Sequence, residues 1–368
     1  MKNLEFISKV PEDVKSYLYK LQKNDRVSFL PSLSGLTREG EQLQLGFSTY
    51  GLKLYYMLGI WDELDKNHKD QWSKFINSFQ QNNKSFPENS YVDPVLLGNY
   101  KNYNLKKSSI DLIKKTMNFS SKYNYETNEV KLNKAINAET KQAIATLYEV
   151  DFKNDKLLEN IYLNEISLLN YLESLNWMTP WTSGAQFSSI CVYATTQSYK
   201  YKSTLIDFIN QKVDPETGSY FSSRPSSNRE IINGAMKVIS GLDWIEEEIH
   251  YPEKLIDFCL ESKPINEGCD VVDFIYVMYK CLSQSNYKKI EVNNLLIDSI
   301  SEIKNLYKEK EGGFSYFVDK SQTHYYGVPI TKGNNVADLH GTLLCTWAIM
   351  MILESNELLD SKYNIIKP

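Results

Sequence analysis

Three groups of polar residues fall in stretches that are otherwise apolar, and chemistry is to be sought there first. Arg229, Asn233 and Lys237 are spaced by four, so a helix would carry them as one stripe. Ile231, Ile232, Ala235, Val238, Ile239 and Leu242 then form the opposite, core-facing side. A buried cationic stripe is costly unless it meets an anion or a wet cavity. It reads either as a substrate clamp, completed by Arg224, or as ion pairs to carboxylates on a neighbouring helix.

Asp270 and Asp273 stand one helical turn apart, with Cys269 beside them. Two carboxylates this close tend to split their pKa values, and one can stay protonated as a general acid. The simpler alternative is that acidic residues in a first turn complement the helix dipole. Asp338 and His340, with His324 in the segment before them, make the third group. His340 could shuttle a proton, ligate a metal or only pack. Trp177, Trp181, Phe314, Tyr325 and Tyr326 lead into apolar stretches. Such rings stabilise cations through their faces or stack on sugars, and otherwise are ordinary packing. The chain has no glycine-rich phosphate loop, no CxxC pair and no GxSxG elbow.

The elements that must position these residues alternate in character. Amphipathic stretches with a charged face cover roughly 10–23, 66–81, 156–175, 201–213, 252–262 and 291–309. Stretches apolar or small on nearly every side cover roughly 46–59, 139–151, 184–197, 230–245, 268–283 and 337–354. Helices apolar all round are buried, and those with one polar face lie at the surface. Strict alternation therefore predicts an inner and an outer layer, an all-α (α/α)6 barrel. Proline suits the first turn of a helix, where Pro180 and Pro252 fall.

A weak repeat supports this order. Leu205-Ile206-Asp207-Phe208 recurs as Leu255-Ile256-Asp257-Phe258 and, degraded, as Leu296-Ile297-Asp298-Ser299. Glycine-aromatic turns occur at Gly218-Ser219-Tyr220 and Gly312-Gly313-Phe314, with a worn copy at Asn89-Ser90-Tyr91. A period of roughly 40–50 residues points to stacked helical pairs. The polar stretch 82–138 fits least and reads as an insertion, with one further helix near 108–119, in a single domain spanning 1–368.

An outer helix, Gln211, a proline-glycine turn and an aromatic together resemble the glycine-aromatic repeat of the terpenoid cyclase and protein prenyltransferase toroids. Asp338-Leu339-His340-Gly341-Thr342 resembles the last-repeat helix of prenyltransferase β-subunits. The resemblance implies a toroid with its site where the N-termini of the inner helices converge. It also implies a zinc site, for which Cys269, Asp270 and His340 occupy comparable places, although the family has Asp-x-Cys and this chain reads Cys-Asp. The DxDD acid motif of class II cyclases is absent: Cys269-Asp270-Val271-Val272-Asp273 keeps the location but not the spacing. No inner stretch has an aspartate-rich diphosphate motif; Asp62-Glu63-Leu64-Asp65 opens an outer one.

Composition narrows the function classes. Net charge is -5 with no basic stripe, which argues against nucleic-acid binding. No apolar run approaches the roughly 20 residues that span a membrane. Five scattered cysteines, without disulfide spacing or a leader-like N-terminal stretch, point to a reduced cytoplasm. The expectation is an enzyme, a lyase or isomerase of terpenoid-cyclase type, acting on a small hydrophobic molecule. Asp270 or Asp273 would supply the proton. Arg224, Arg229, Asn233 and Lys237 would hold an anionic end. Trp177, Trp181, His324, Tyr325 and Tyr326 would line the substrate. A carbohydrate-active lyase or hydrolase and a non-catalytic binding subunit are the alternatives. Substrate, cofactor and oligomeric state stay open.

Overall fold

The computed structural model describes residues 2–81, 86–101, 105–119, 125–159, 164–197, 201–225, 227–262 and 268–368. These fold mostly into helices. The first half holds α1 (Lys2–Leu21), α2 (Arg38–Gln42), α3 (Leu45–Met57), α4 (Ile60–Glu63), α5 (Lys66–Asn77), strands β1 (Gln80–Gln81) and β2 (Ser90–Tyr91), α6 (Pro94–Lys101), α7 (Leu105–Met117), α8 (Asn128–Glu149) and α9 (Glu165–Ser174). Next come α10 (Pro180–Thr196), α11 (Lys202–Asn210), α12 (Asn228–Trp244), α13 (Pro252–Glu261), α14 (Cys269–Leu282), α15 (Lys289–Asp298) and α16 (Ile300–Leu306). The chain then runs through β3 (Tyr307–Lys308), β4 (Gly313–Phe314), β5 (His324–Tyr325), β6 (Val328–Pro329) and α17 (Leu339–Ser355).

The stretches read as apolar all round are the buried helices. In α3 only Tyr56 escapes burial, and α10, α12, α14 and α17 are nearly as enclosed. Their neighbours follow a cyclic order: α3 packs on α8, then α10, α12, α14 and α17, and α17 returns to α3. Side-chain contacts show that neighbours run in the same direction. Arg229 meets Asp270 near the starts of α12 and α14, and Asp243 meets Lys280 near their ends. Likewise Asn137 of α8 bonds Gln186 of α10, and Tyr148 near the end of α8 bonds Thr196.

α10 and α12 approach most closely, and small residues allow it. A Cβ on Gly234 would stand 2.6 Å from the Pro180 ring, and one on Gly241 would stand 3.0 Å from the Ser188 backbone. The Ser188 and Ser240 hydroxyls bond across this seam at 2.8 Å.

The glycine-aromatic turns share one geometry. β3 pairs with β4 so that Tyr307 faces Phe314, β1 pairs with β2 so that Gln80 faces Tyr91, and Val213 bridges Tyr220. The residue two before each buried aromatic has a positive φ: Gly312 at 85°, Gly218 at 73° and Asn89 at 68°. Asparagine is the non-glycine residue most at ease there, so the worn copy keeps the backbone. Thr342 of α17 donates its hydroxyl to the Phe314 carbonyl and accepts from its N–H. Thr140 of α8 clasps Tyr91 in the same way.

Several boundaries differ from the sequence reading. α8 begins at Asn128, capped by the Thr127 side chain, so the supposed insertion over 82–138 contains β2, α6, α7 and the first half of a buried helix. The outer stretch 291–309 is two helices that meet at Ser299. The stretch 156–175 is helical only from Glu165, behind an Asn164 capping box; its residues 160–163 lie outside the described set.

Candidate active site

The candidate residues divide into those the fold consumes and those it leaves free. Asp338 is consumed. As N-cap of α17 it accepts the Gly341 N–H at 2.8 Å on one oxygen. Its other oxygen accepts the N–H groups of Tyr316 (2.7 Å) and Gln322 (3.0 Å). A Cβ on Gly341 would lie 2.4 Å from Ser315 and Tyr316 backbone atoms, so glycine is needed for this close approach. In the motif Asp338-Leu339-His340-Gly341-Thr342, only the His340 side chain is therefore polar and free of the scaffold.

Asp270 is consumed as well. Its carboxylate is bound by Arg229 Nε at 2.9 Å and by Asn233 Nδ2 at 2.7 Å. Arg229 is half-exposed and lies over the Trp181 ring, 5.2 Å from its centroid. The stripe on α12 is thus, in its first two members, an ion-pair network with α14. Arg224 stands apart from it, exposed and 3.9 Å from Glu216, beside an open surface hollow lined by Gln211, Asp214 and Phe221.

Asp273 is different. It is 1 % exposed, its Oδ1 lies 3.9 Å from Lys237 Nζ, and its Oδ2 has no hydrogen-bond partner. Burial raises its pKa to about 6, against the lowering charge of Lys237. A carboxyl of this kind exchanges its proton near neutral pH.

His340 sits between two tyrosine rings, stacked on Tyr50 at 4.7 Å and tilted against Tyr316 at 5.0 Å. Its buried Nδ1 has no partner. Burial, and then the charge of Lys237, push its pKa well below 6.5, so the imidazole is neutral at pH 7. Tyr316 also receives or gives a hydrogen bond with Cys269 Sγ at 3.2 Å. Asp270, Asp273 and His340 therefore share one end of adjacent parallel helices, without hydrogen bonds to one another.

The aromatic candidates separate in the same manner. Trp177 is core: its Nε1 donates to the Leu172 carbonyl and its ring packs on Phe187 and Phe208. Tyr325 is buried against Phe47 and Tyr50 with a hydroxyl that lacks a partner. Tyr326 is exposed, edge-on to Tyr325. His324 is exposed, with its ring Nδ1 3.0 Å from the Thr323 hydroxyl. Among the described residues no three His, Cys, Asp or Glu side chains are grouped to hold a metal ion. Cys269, Asp270 and His340 form no such group: Asp270 is held by Arg229 and Asn233, while Cys269 and His340 both lie against Tyr316.

Sequence reasoning passed over three ionisable residues on the same buried helices. Glu139 of α8 is buried, and neither of its oxygens has a hydrogen-bond partner. Burial and the nearby Asp93 raise its pKa well above the usual carboxylate range. Lys53 of α3 and Lys141 of α8 also lie here. A single charge inside an otherwise uncharged stretch, as Lys53 is between Leu45 and Met57, is the signal that could have found Lys53.

No protein-family model, no curated protein and no solved structure matches the chain. No described helix is long and apolar enough to cross a membrane.

Proposed function

We propose that the cyclic order of α3, α8, α10, α12, α14 and α17 is an (α/α)6 toroid. Within it the protein works as an enzyme on a small molecule, by proton transfer from Asp273. The observation that carries this is the Asp273 carboxyl: buried, one oxygen unpartnered, and able to hold a proton close to neutral pH. Among the inner-helix candidates it is the carboxyl that neither caps a helix nor is clasped by Arg229 and Asn233. A buried acid with an unpartnered oxygen costs stability, and such groups cluster at functional sites.

The leading reading is terpenoid-cyclase-like. Asp273 protonates a carbon–carbon double bond, and the faces of Tyr50 and Tyr316 stabilise the resulting cation. Neutral His340, held between those rings, accepts the proton that closes the reaction. Lys237 beside Asp273 takes up the carboxylate charge left after transfer. A second reading, acid–base cleavage of a carbohydrate, is favoured by one observation. Glu139 is a second buried carboxyl, and α8, which carries it, stands opposite α14 in the cyclic order.

The test is incubation of the protein with pools of small metabolites, read by mass spectrometry. A substrate consumed by the wild type, and not by Asp273→Asn, supports the reading. Consumption should fall as pH rises through about 6. An isomeric product supports cyclisation, and a product that has gained water supports hydrolysis. Full consumption by Asp273→Asn contradicts both.

A further inference from the structure

α7 is amphipathic in the opposite sense to a helix packed on a protein core. With about 3.6 residues per turn, Ile110, Leu112, Ile113 and Met117 fall on one side, and Asp111, Lys114 and Lys115 on the other. A surface helix turns its apolar side to the core. α7 instead turns in Asp111, which is 8 % exposed and accepts the Asn128 N–H at 2.7 Å at the start of α8. Its apolar side faces out: Ile110 is 46 %, Ile113 58 % and Leu112 66 % exposed. Phe119, just past the helix and seven residues after Leu112, is 91 % exposed. Tyr125, tied to Asn118 through both of its backbone groups, adds a second aromatic, 41 % exposed. Other exposed apolar side chains, such as Ile166 and Ile290, stand singly along the chain and need no explanation. A group of this kind does.

The charge around this face is one-sided. By sequence, residues 101–134 hold eight lysines against three acidic residues, a net charge of +5 in a chain whose total is -5. The three acids are already engaged. Asp111 holds the Asn128 N–H and lies 3.8 Å from Lys115, Glu129 lies 3.6 Å from Lys115, and Glu126 is paired with Lys134. Lys114 Nζ donates to a neutral group, the Glu126 carbonyl, at 3.2 Å.

We propose that α7 docks the protein on an anionic membrane surface. Ile110, Leu112, Ile113 and Phe119 enter the boundary between headgroups and acyl chains, and the lysines around them meet the headgroup charge. A helix with an apolar side and a basic flank fits that partner. A second copy of this chain fits the face less well, since pairing two α7 helices brings two segments of net charge +5 together. The attachment is peripheral: α7 has 13 residues, and no described helix is long and apolar enough to cross a membrane. It is independent of the acid assigned to Asp273.

Co-sedimentation of the full chain with vesicles tests this, using phosphatidylcholine alone or mixed with phosphatidylglycerol. The wild type is expected to bind the mixed vesicles at least about tenfold more tightly than phosphatidylcholine alone, and to be released by high salt. Leu112→Asp and Phe119→Asp replace exposed side chains, so each should keep the wild-type Tm and weaken binding to the mixed vesicles at least about tenfold. Lys107→Glu/Lys114→Glu should lose the preference for the anionic lipid. Ile290→Asp, at an exposed isoleucine of α15, should bind as the wild type does. The proposal is overturned if the wild type does not bind the mixed vesicles, if it binds both kinds equally, or if Ile290→Asp weakens binding as much as Leu112→Asp. It is also overturned if Leu112→Asp and Phe119→Asp, folded, bind as the wild type does. Sedimentation velocity adds one more outcome: an oligomer that Leu112→Asp dissociates would make this face a contact between copies of the chain and overturn the membrane assignment.

Discussion

Asp338 at the start of α17 accepts backbone N–H groups on both oxygens, whereas Asp273, one turn into neighbouring α14, has one oxygen with no partner. Both carboxyls are buried, and burial raises both toward about 6. Their surroundings make them opposite devices. Asp338 ties the Phe314 turn to the helix that follows it. Asp273 leaves its proton available. Residue type is the same in the two, but Asp338 is the N-cap and meets N–H groups of its own first turn and of the preceding segment, whereas Asp273 lies one turn inside its helix, past the free N–H groups. The turn before α17 brings its own N–H groups to the carboxylate, while α14 starts at Gly268, which makes no side-chain cap.

The sharpest way to break this comparison is to remove both side chains in turn. Asp338→Ala strands several buried N–H groups and should cost about 4 kcal/mol in urea unfolding. A cost below about 1 kcal/mol would remove Asp338 from the scaffold. Asp273→Asn should instead change stability in a pH-dependent way. The native pKa of Asp273, about 6, lies above the ordinary 3.8, so the native state favours the proton. The stability this gives is complete below about pH 4 and is lost as pH rises through about 6, roughly 3 kcal/mol in all. The variant should lack that decline, measured by urea unfolding from pH 4 to 8. His340, lowered, contributes with the opposite sign: its share is present above pH 6.5 and is lost on acidification, so His340→Phe should flatten the acid side.

Smaller effects sharpen the same contrast at the turns. Gly312→Ala places a Cβ 2.8 Å from the Asp13 carbonyl at a φ of 85°, and should cost about 2 kcal/mol by thermal unfolding. Asn89→Gly, at the equivalent backbone position, should change stability by less than about 1 kcal/mol, reflecting its lost bond to the Leu157 carbonyl. Equal effects at the two sites would separate the turns into unrelated structures.

The buried helices were legible because burial on all sides leaves an apolar run with few interruptions. Five of the six begin within four residues of where periodicity puts them. α8 escaped because its first half, Asn128 to Ala138, carries many polar residues and Thr127 caps it unannounced. The glycine-aromatic repeat was legible even in its worn copy, since Asn89 satisfies the same backbone. Roles were harder to read. A list of polar residues at the starts of the buried helices contains Asp270, Asp273 and Asp338 alike, and only three-dimensional neighbours separate a clasped carboxylate from one with an unpartnered oxygen. Lys53 and Lys141 were missed because lysine is a common surface residue and neither belongs to a spaced pattern.

The central claim is that Asp273 is a protonatable acid near neutral pH. Infrared difference spectra of wild type against Asp273→Asn, taken from pH 4 to 8, observe that carboxyl directly. The account predicts a protonated-carboxyl C=O band, absent in the variant, that titrates away with a midpoint of about 6. A wild type with no such band at pH 5, or with a midpoint below 4, would contradict it.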